Sequence, residues 1–578
     1  MTQIPLSADG REWQVKKIVV IGPGIVGTPM AALLASAPIR GQDPPEVVVV
    51  QRDSVTSGWK VGAINRGESP IGGVEPGLDR LIAEAVRNRS LRASHDYAEA
   101  RDADVILVCV QTDKRGYAPD YGPLFEALTC LGPELQRRTP GHVPVIVFES
   151  TLAPSSMTTL VSEQFASFGL EDGRDLLLGN SPNRVMPGRL VERVTTSDKL
   201  VGGLRRETVQ KIQHLYSRIV TGGTVHPTNS MTAEVVKTLE NAYRDVRIAF
   251  SAEIARYCDD SDVDFYQVRD AINHRLAQAD SATRDATAVP TGGLLVPTVG
   301  VGGHCLPKDG ILLWWRRLEA GLDHANSLIL EARRINDESP GVCIAQAERA
   351  FGSIAGRPVA ILGTAYRFDS EDTRNSPSLA LADALRAKGC PVVLHDPYVR
   401  PGDQNLLRYG LGEHFTNELS LALKDAEIGF LCTGHGSYRT ELVPAMRQAP
   451  VLKNLFDACN FFQPGEPDGK HIRYAGIGRG RAAPVPQLLE FVEQEFHAME
   501  RGLSNELVLL IDFLNEAYAA DPFNRIDFAE VQRLAGTCVT GCQIVDPGPI
   551  PDTPGYNAFT TRLADLARAA ASTRLQTC

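Results

Sequence analysis

The stretch that most restricts this chain is KIVVIGPGIVGTPMAALLASA, residues 17–37. Lys17–Ile21 is a short apolar run of the kind buried in a parallel sheet. Gly22, Gly24 and Gly27 follow at G-x-G-x-x-G spacing, with Ile25 and Val26 inside the turn, and good helix formers come next. Gly22 suits a tight turn, Gly24 lets a pyrophosphate approach the backbone, and Gly27 lets helix and strand pack closely. Strand, turn and helix in that order commit the N-terminal part to a doubly wound α/β sheet that holds a dinucleotide.

The pattern repeats. EVVVV at Glu46–Val50, ADVILVCVQTD at 103–113 and PVIVFESTLAPSS at 144–156 each read as a buried strand, the last two ending in a polar turn. Ligands in such sheets sit at the carboxyl ends of strands, where Thr112 and Glu149 lie. Position alone leaves open whether these two serve a site or only cap a turn and a helix. After the second strand the chain reads Gln51-Arg52-Asp53. Asp53 can hold an adenosine ribose, which predicts NAD; Arg52 can instead favour a 2′-phosphate, so NADP stays open.

Residues 231–271 contain no Gly or Pro and predict one long helix. Lys237 and Asn241 are four apart on it and share a face. Among Val235, Val236, Leu239 and Ala242, they point either into a cleft or to solvated surface. From residue 358 the strand–helix alternation restarts without the glycine motif, which predicts a second doubly wound domain. Its loop RFDSEDTRNSP puts Arg367 and Arg374 near a helix start, as a phosphate seat or as a solvated, salt-bridged loop. Beyond residue 484 the chain is mostly helical, interrupted by VDPGPIPDTPGYN. The expected division is a dinucleotide-binding domain at 1–225, a central helical domain at 226–340, a second Rossmann-like domain at 341–484 and a helical extension at 485–578. The fold class is therefore α/β, with two doubly wound domains joined by a long helix.

A chain of 578 residues needs several domains. Its net charge of −11 argues against nucleic acid or an anionic membrane as main partner. It shows no secretory leader at its start and no membrane-spanning apolar run. Its eleven cysteines are scattered, without a Cys-x-x-Cys pair. Cytoplasmic location and reduced thiols are expected. Cys538 and Cys542 lack the second pair that a zinc site needs, so no metal is expected.

VGVGGHCLPKDG, residues 299–310, places a thiol on a glycine-rich hinge with charge four residues on. Together with NRGESPIGGVEPGLDRLI at 65–82, SPNRVMPGRL at 181–190, KTLENAYRDVRIAFSAEIA, AYRFDSEDTRNSP and HDPYV, it resembles the UDP-glucose/GDP-mannose dehydrogenase family, with the six motifs in the family's order along residues 15–480. The resemblance implies NAD-dependent oxidation of a nucleotide sugar's 6-hydroxymethyl group to a carboxylate, with Cys305 as nucleophile. It implies Lys237, Asn241, Asp309, Glu149 and Thr112 as the remaining catalytic set. Arg184, Gly302, Gly303, Arg367 and Arg374 are implied beside Lys237 and Asn241 in holding the sugar nucleotide. The glycines before Cys305 would let the sugar approach, and Lys237 or Lys308 would favour the thiolate. Glu149 would position or deprotonate water. A homodimer through the long helix is implied, because that helix carries more apolar surface than one domain readily buries.

The chain departs from the family at Arg367, where lysine is usual, and at Gln51, where an acid is usual. The stretch before the cysteine loop and the helical tail are extra length. The substrate reading favours a UDP-N-acetylhexosamine over UDP-glucose. A hydroxyacid-type dehydrogenase needing no thiol and a non-catalytic sugar-nucleotide binder are the alternatives.

Overall fold

The computed structural model describes residues 12–37, 44–72, 75–184, 188–277, 293–322, 327–463, 466, 472–538 and 541–575. The chain folds into two compact units. The first comprises Met1–Glu240, Leu312–Leu322 and Val508–Ile544; the second comprises Asn241–Ile311, Asp323–Leu507 and Val545–Cys578. The residues after 484 are therefore shared between the two units and do not make a body of their own.

The first unit is built on strands β1 (Lys17–Ile21), β2 (Glu46–Val50), β3 (Leu91–Ser94), β4 (Val105–Val108), β7 (Val145–Phe148), β8 (Leu177–Asn180), β9 (Lys199–Gly203) and β10 (Val225–Pro227). A small hairpin, β5 (Asp113–Arg115) and β6 (Ala118–Asp120), hangs off the end of β4. The large sheet runs β10-β9-β8-β7-β4-β1-β2-β3 and is parallel except where β9 meets β8. The run β3-β2-β1-β4-β7-β8 is the doubly wound order, with its switch point between β1 and β4. Its inner strands do not alternate apolar with polar residues, because both faces are covered. Ile18, Val20, Val47 and Val49 fill one core, and Val19, Val48, Ile106 and Phe148 the other.

The second unit repeats the order with β11 (Val359–Leu362), β12 (Val392–His395), β13 (Phe415–Thr416), β14 (Ile428–Leu431), β15 (Asn454–Asp457) and β16 (Arg473–Gly476). They run β13-β12-β11-β14-β15-β16, parallel throughout.

The helices that carry or cover the functional residues are α1 (Gly27–Ser36), α2 (Arg206–Tyr216), α3 (Ser230–Asp260), α4 (Leu306–Glu319), α5 (Leu328–Phe351), α6 (Pro486–Tyr518), α7 (Phe528–Ala535) and α8 (Arg562–Leu575). The single helix expected over 231–271 is two helices, α3 and a following one at Phe265–Ala277. The break has a local cause. Asp259-Asp260-Ser261-Asp262 are weak helix formers, Asp262 takes a left-handed φ of 54°, and the Val263 amide turns back to the Cys258 carbonyl at 2.8 Å. Tyr243, Arg247, Phe250, Ile254 and Tyr257 are all buried within one chain.

Candidate active site

In the first unit the glycine turn folds as its sequence dictates. Gly22 takes φ +95°, its amide meets the Val50 carbonyl at 3.0 Å, and α1 starts at Gly27. A Cβ on Gly27 would lie 2.1 Å from the Gly22 carbonyl oxygen, so only glycine closes this turn. A Cβ on Gly24 would meet nothing within 4 Å, so open space lies over the turn at the positive end of α1. Ile25 and Val26 are half-buried beside it. This cradle fits a dinucleotide pyrophosphate, with the amides of 25–27 as the holding groups, the Gly24 amide being bonded to the Gly22 carbonyl at 2.9 Å.

Gln51 donates to Ser57 Oγ at 2.9 Å, Arg52 pairs with Glu126, and Asp53 is exposed. Lys60, in the first turn of the next helix, donates to the Pro23 carbonyl at 3.2 Å, and burial holds its ammonium below the usual lysine range.

Thr112 is buried and donates to the Thr151 carbonyl at 2.8 Å. Glu149 is buried too. Lys199 of β9 donates to one carboxylate oxygen at 2.9 Å, and Tyr216, the last residue of α2, donates to the other. Burial, and then Glu149 itself, push the Tyr216 phenol and the Cys109 thiol well above their usual ranges. The β7 end is thus clamped by a buried ion pair.

Two further carboxylates were not foreseen. Glu234 on α3, three residues before Lys237, is fully buried and accepts the amides of Ser155 at 2.8 Å and Met157 at 3.0 Å. Burial, against those hydrogen bonds and the nearby Arg316, raises its pKa to about 8. Ser155 holds φ +71°, and Arg316 bonds its hydroxyl at 2.8 Å. The loop after Glu149 is thereby tied to α3. Glu240 forms a buried ion pair with Arg184. Arg184 also donates to Thr537 Oγ1 at 2.8 Å and to the Leu534 carbonyl at 2.9 Å, so the end of α7 in the C-terminal extension helps to hold a motif arginine. Its Nε has no partner among the described residues. Glu234 left no signal in the sequence beyond a carboxylate among Ala233, Val235 and Val236, and the Leu534–Arg184 contact left none. Lys237 is buried on α3 and lies one turn before Asn241.

In the second unit Cys305 is the residue immediately before α4. Its carbonyl accepts the Lys308 amide at 3.0 Å and the Asp309 amide at 2.8 Å. Pro307 in the first turn has no N–H to lose, which suits a helix start. The thiol is exposed, and the positive end of a 14-residue helix favours an anion there. The other thiols contrast with it: burial raises Cys258 and Cys432 to about 12. Asp309 is buried one turn inside, where the Asn241 amide donates to it at 2.6 Å. Lys308 is buried with its ammonium 3.7 Å from the same carboxylate.

A Cβ on Gly302 would lie 2.4 Å from Tyr366 Cβ, and one on Gly303 2.9 Å from its ring, so Tyr366 fills that room. The Gly303 amide donates to the Arg374 carbonyl at 2.8 Å, and Asn375 donates to the Gly303 carbonyl at 3.0 Å. Arg374 is therefore beside the cysteine loop. Burial lowers its pKa, but the carboxylate of Asp372, bonded at 2.6 Å, and the field of Cys305 outweigh that and hold it raised. Arg367 lies over the exposed Phe368 ring at 5.6 Å. The second unit thus unites Cys305, Asp309, Asn241, Gly302, Gly303 and Arg374. Residues 185–187 of the arginine motif and 278–292 before the cysteine loop lie outside the described residues.

A dinucleotide cradle at a Rossmann switch point and an exposed thiol on a helix start define a dinucleotide-dependent dehydrogenase. Models of the UDP-glucose/GDP-mannose dehydrogenase family match this chain with the NAD binding domain at residues 16–220, the central domain at 231–338 and the UDP binding domain at 360–464. The chain belongs to that family and is an NAD-dependent nucleotide-sugar dehydrogenase. It is 30% identical over 471 residues to the UDP-N-acetyl-D-mannosamine dehydrogenase of Pyrococcus horikoshii, a match over 80% of this chain and 99% of that one. It is 29% identical over 435 residues to an NDP-N-acetyl-D-galactosaminuronic acid dehydrogenase of Ralstonia nicotianae, over 73% and 92%. Among solved structures, the NDP-N-acetyl-D-galactosaminuronic acid dehydrogenase of Methanosarcina mazei Go1 matches with a TM-score of 0.66 at 32% identity, over 81% of this chain and 96% of that one. No helix among the described residues is long and apolar enough to cross a membrane.

Proposed function

We propose that this chain oxidises the C6 alcohol of a UDP-N-acetylhexosamine to the carboxylate, through a covalent intermediate on Cys305. The observation that carries this is the exposed thiol at the start of α4, with the buried Asp309 and its partner Asn241 one turn inside. NAD, held at the Gly22–Gly27 turn, is the hydride acceptor. Loss of one hydride and one proton converts the alcohol to the aldehyde. The Cys305 sulfur then adds to the aldehyde carbon, and the proton of the thiol passes to the former carbonyl oxygen, giving a thiohemiacetal. A second hydride and proton leave as a thioester forms. Water adds to it, the carbon–sulfur bond breaks, and acid and thiol are released. Lys237 and Asn241, on one face of α3, are the groups suited to stabilise the oxyanions of these steps. Asp309 fixes the Asn241 amide so that its donor orientation does not change during the reaction. Arg374, beside the cysteine loop, supplies positive charge for the thiolate and the diphosphate.

The sugar reading is supported by the names of the relatives, which act on N-acetylated hexose nucleotides, and by the match to a UDP binding domain. The described cysteines are free thiols. The test is a panel of UDP- and GDP-sugars with NAD and NADP, following nicotinamide reduction. The reading requires two reduced cofactors per sugar acid and highest kcat/KM with a UDP-N-acetylhexosamine. A stoichiometry of one, with aldehyde or ketone as product, would sink it.

A further inference from the structure

In the first unit a segment of the C-terminal extension, residues 523–537, is fastened to the dinucleotide-binding domain at several points. It lies beyond the three family domains, the last of which ends at residue 464. The Arg206 guanidinium stands over the Phe523 ring at 4.8 Å, and Asn524 donates to the Leu204 carbonyl at 3.5 Å. Asn229, the residue before α3, accepts the Thr232 amide at 2.7 Å and donates to the Arg525 carbonyl at 2.8 Å. Its neighbour Thr228 donates its hydroxyl to Glu530 at 2.8 Å. The Asp527 carboxylate takes the Glu530 amide at 2.8 Å and caps α7. The start of α7 is thereby pinned to the start of α3.

The other end of α7 is pinned to Arg184, four residues past the end of β8. Thr537 Oγ1 accepts from one terminal guanidinium nitrogen at 2.8 Å. The Leu534 carbonyl accepts from the other at 2.9 Å, and Glu240 of α3 pairs with that same nitrogen. Leu534 lies in the last turn of α7, where carbonyls have no partner within the helix and the dipole favours a cation. The Thr537 hydroxyl donates to the Leu534 carbonyl at 2.7 Å, which leaves its lone pairs for Arg184. The Arg184 and Glu240 side chains are each only 4% exposed, so water does not replace these partners. The eight residues of α7 span about 12 Å, and the eleven steps from Asn229 to Glu240 about 16 Å. Helix α7 thus reaches from one end of this stretch of α3 to the arginine paired with the other.

We propose that α7 is a positioning element for the nucleotide sugar: Thr537 and Leu534 fix Arg184 against Glu240 and so set the direction in which this arginine meets its ligand. The inference rests on the reading of Arg184 as a nucleotide-sugar residue. Three acceptors of the fold hold the terminal nitrogens, and the buried Nε–H is accepted by none of the described residues. A buried donor is costly to leave unmade, and its direction is fixed by the bonds on the rest of the plane.

The experiment compares full-length wild type with Thr537→Val, which keeps the shape and removes the acceptor, and Thr537→Ser, which restores it. Kinetics are read with the nucleotide sugar that is oxidised best. Thr537→Val is expected to raise KM for that sugar about fivefold, the equivalent of one hydrogen bond, with kcat and the KM for NAD within about twofold of wild type. Thr537→Ser is expected to return the wild-type KM. A bond that serves stability alone would lower the unfolding midpoint of Thr537→Val and leave the KM of the folded enzyme as it was. That result, or equal rises in both KM values, would overturn the proposal. A second measurement needs no substrate: hydrogen exchange at the Asn183 and Arg184 amides should be faster in Thr537→Val than in wild type, and equal exchange would also overturn it. Absence of turnover with every nucleotide sugar, by contrast, sinks the proposed function itself, whatever the exchange shows.

Discussion

Asn241 donates its side-chain amide to Asp309 across 2.6 Å, and Asp309 is held in turn by its own amide on the Cys305 carbonyl at 2.8 Å. One residue of α3 and the first turn of α4 are thereby locked to each other next to the reactive sulfur. Replacing Asp309 by Asn sets amide against amide in a buried place. The expected cost is about 1–3 kcal/mol of stability, with a fall in kcat at nearly unchanged KM, because the donor that meets the oxyanion is no longer oriented. Urea denaturation and initial rates on one preparation check both. An Asp309→Asn enzyme with wild-type kcat would remove Asp309 from the site.

Cys305→Ser is expected to lower acid formation by roughly a thousandfold or more while changing stability by less than about 0.5 kcal/mol, since the side chain is exposed. Serine is too weak a nucleophile to carry the acyl group, but it keeps the start of α4. Mass spectrometry of wild-type enzyme quenched in turnover should find the sugar on the peptide containing Cys305.

Glu234 gives a pH dependence of definite sign. Its folded pKa is about 8 against an ordinary 4.5, so between those values the folded protein binds the proton that the unfolded chain releases. Its contribution is complete below about pH 4.5 and is lost as pH rises through 8. In that window the wild type should lose up to roughly 1.4 kcal/mol per pH unit relative to Glu234→Gln. Thermal unfolding of both proteins at several pH values reads the difference; parallel curves would show that burial does not hold the proton on Glu234.

Arg184 depends on the extension. Thr537→Val removes one bond to a buried guanidinium and should cost about 1 kcal/mol, whereas Glu240→Gln leaves that guanidinium without its countercharge and should cost about 3–5 kcal/mol. A negligible effect of Glu240→Gln would mean that water reaches the pair.

Gln51→Asp places a carboxylate at the end of β2, where it can accept from both ribose hydroxyls and repel a 2′-phosphate. The ratio of kcat/KM with NAD to that with NADP should rise. An unchanged ratio would show that the adenosine ribose is held elsewhere.

Much of the molecule was legible residue by residue. The strands Lys17–Ile21 and Glu46–Val50, the glycine turn and the second doubly wound order all follow from short-range pattern. The Asp-rich break after Asp260 was readable in principle, but the run without Gly or Pro outweighed it. The neighbours of Glu149, Gly302 and Gly303 were not legible in this way, because Lys199, Tyr216 and Tyr366 stand far along the chain.

By itself the sequence determined what neighbouring residues impose on each other: buried strands, a turn only glycine can close, and a thiol placed just before a helix. Only the tertiary structure decided which distant groups meet. Glu234 takes the 155–157 amides, α7 of the extension reaches Arg184, and Phe496 and Phe559 close over α3. The physical reason is that local periodicity records whether a side chain is buried, whereas the partner that buries it depends on the path of hundreds of intervening residues.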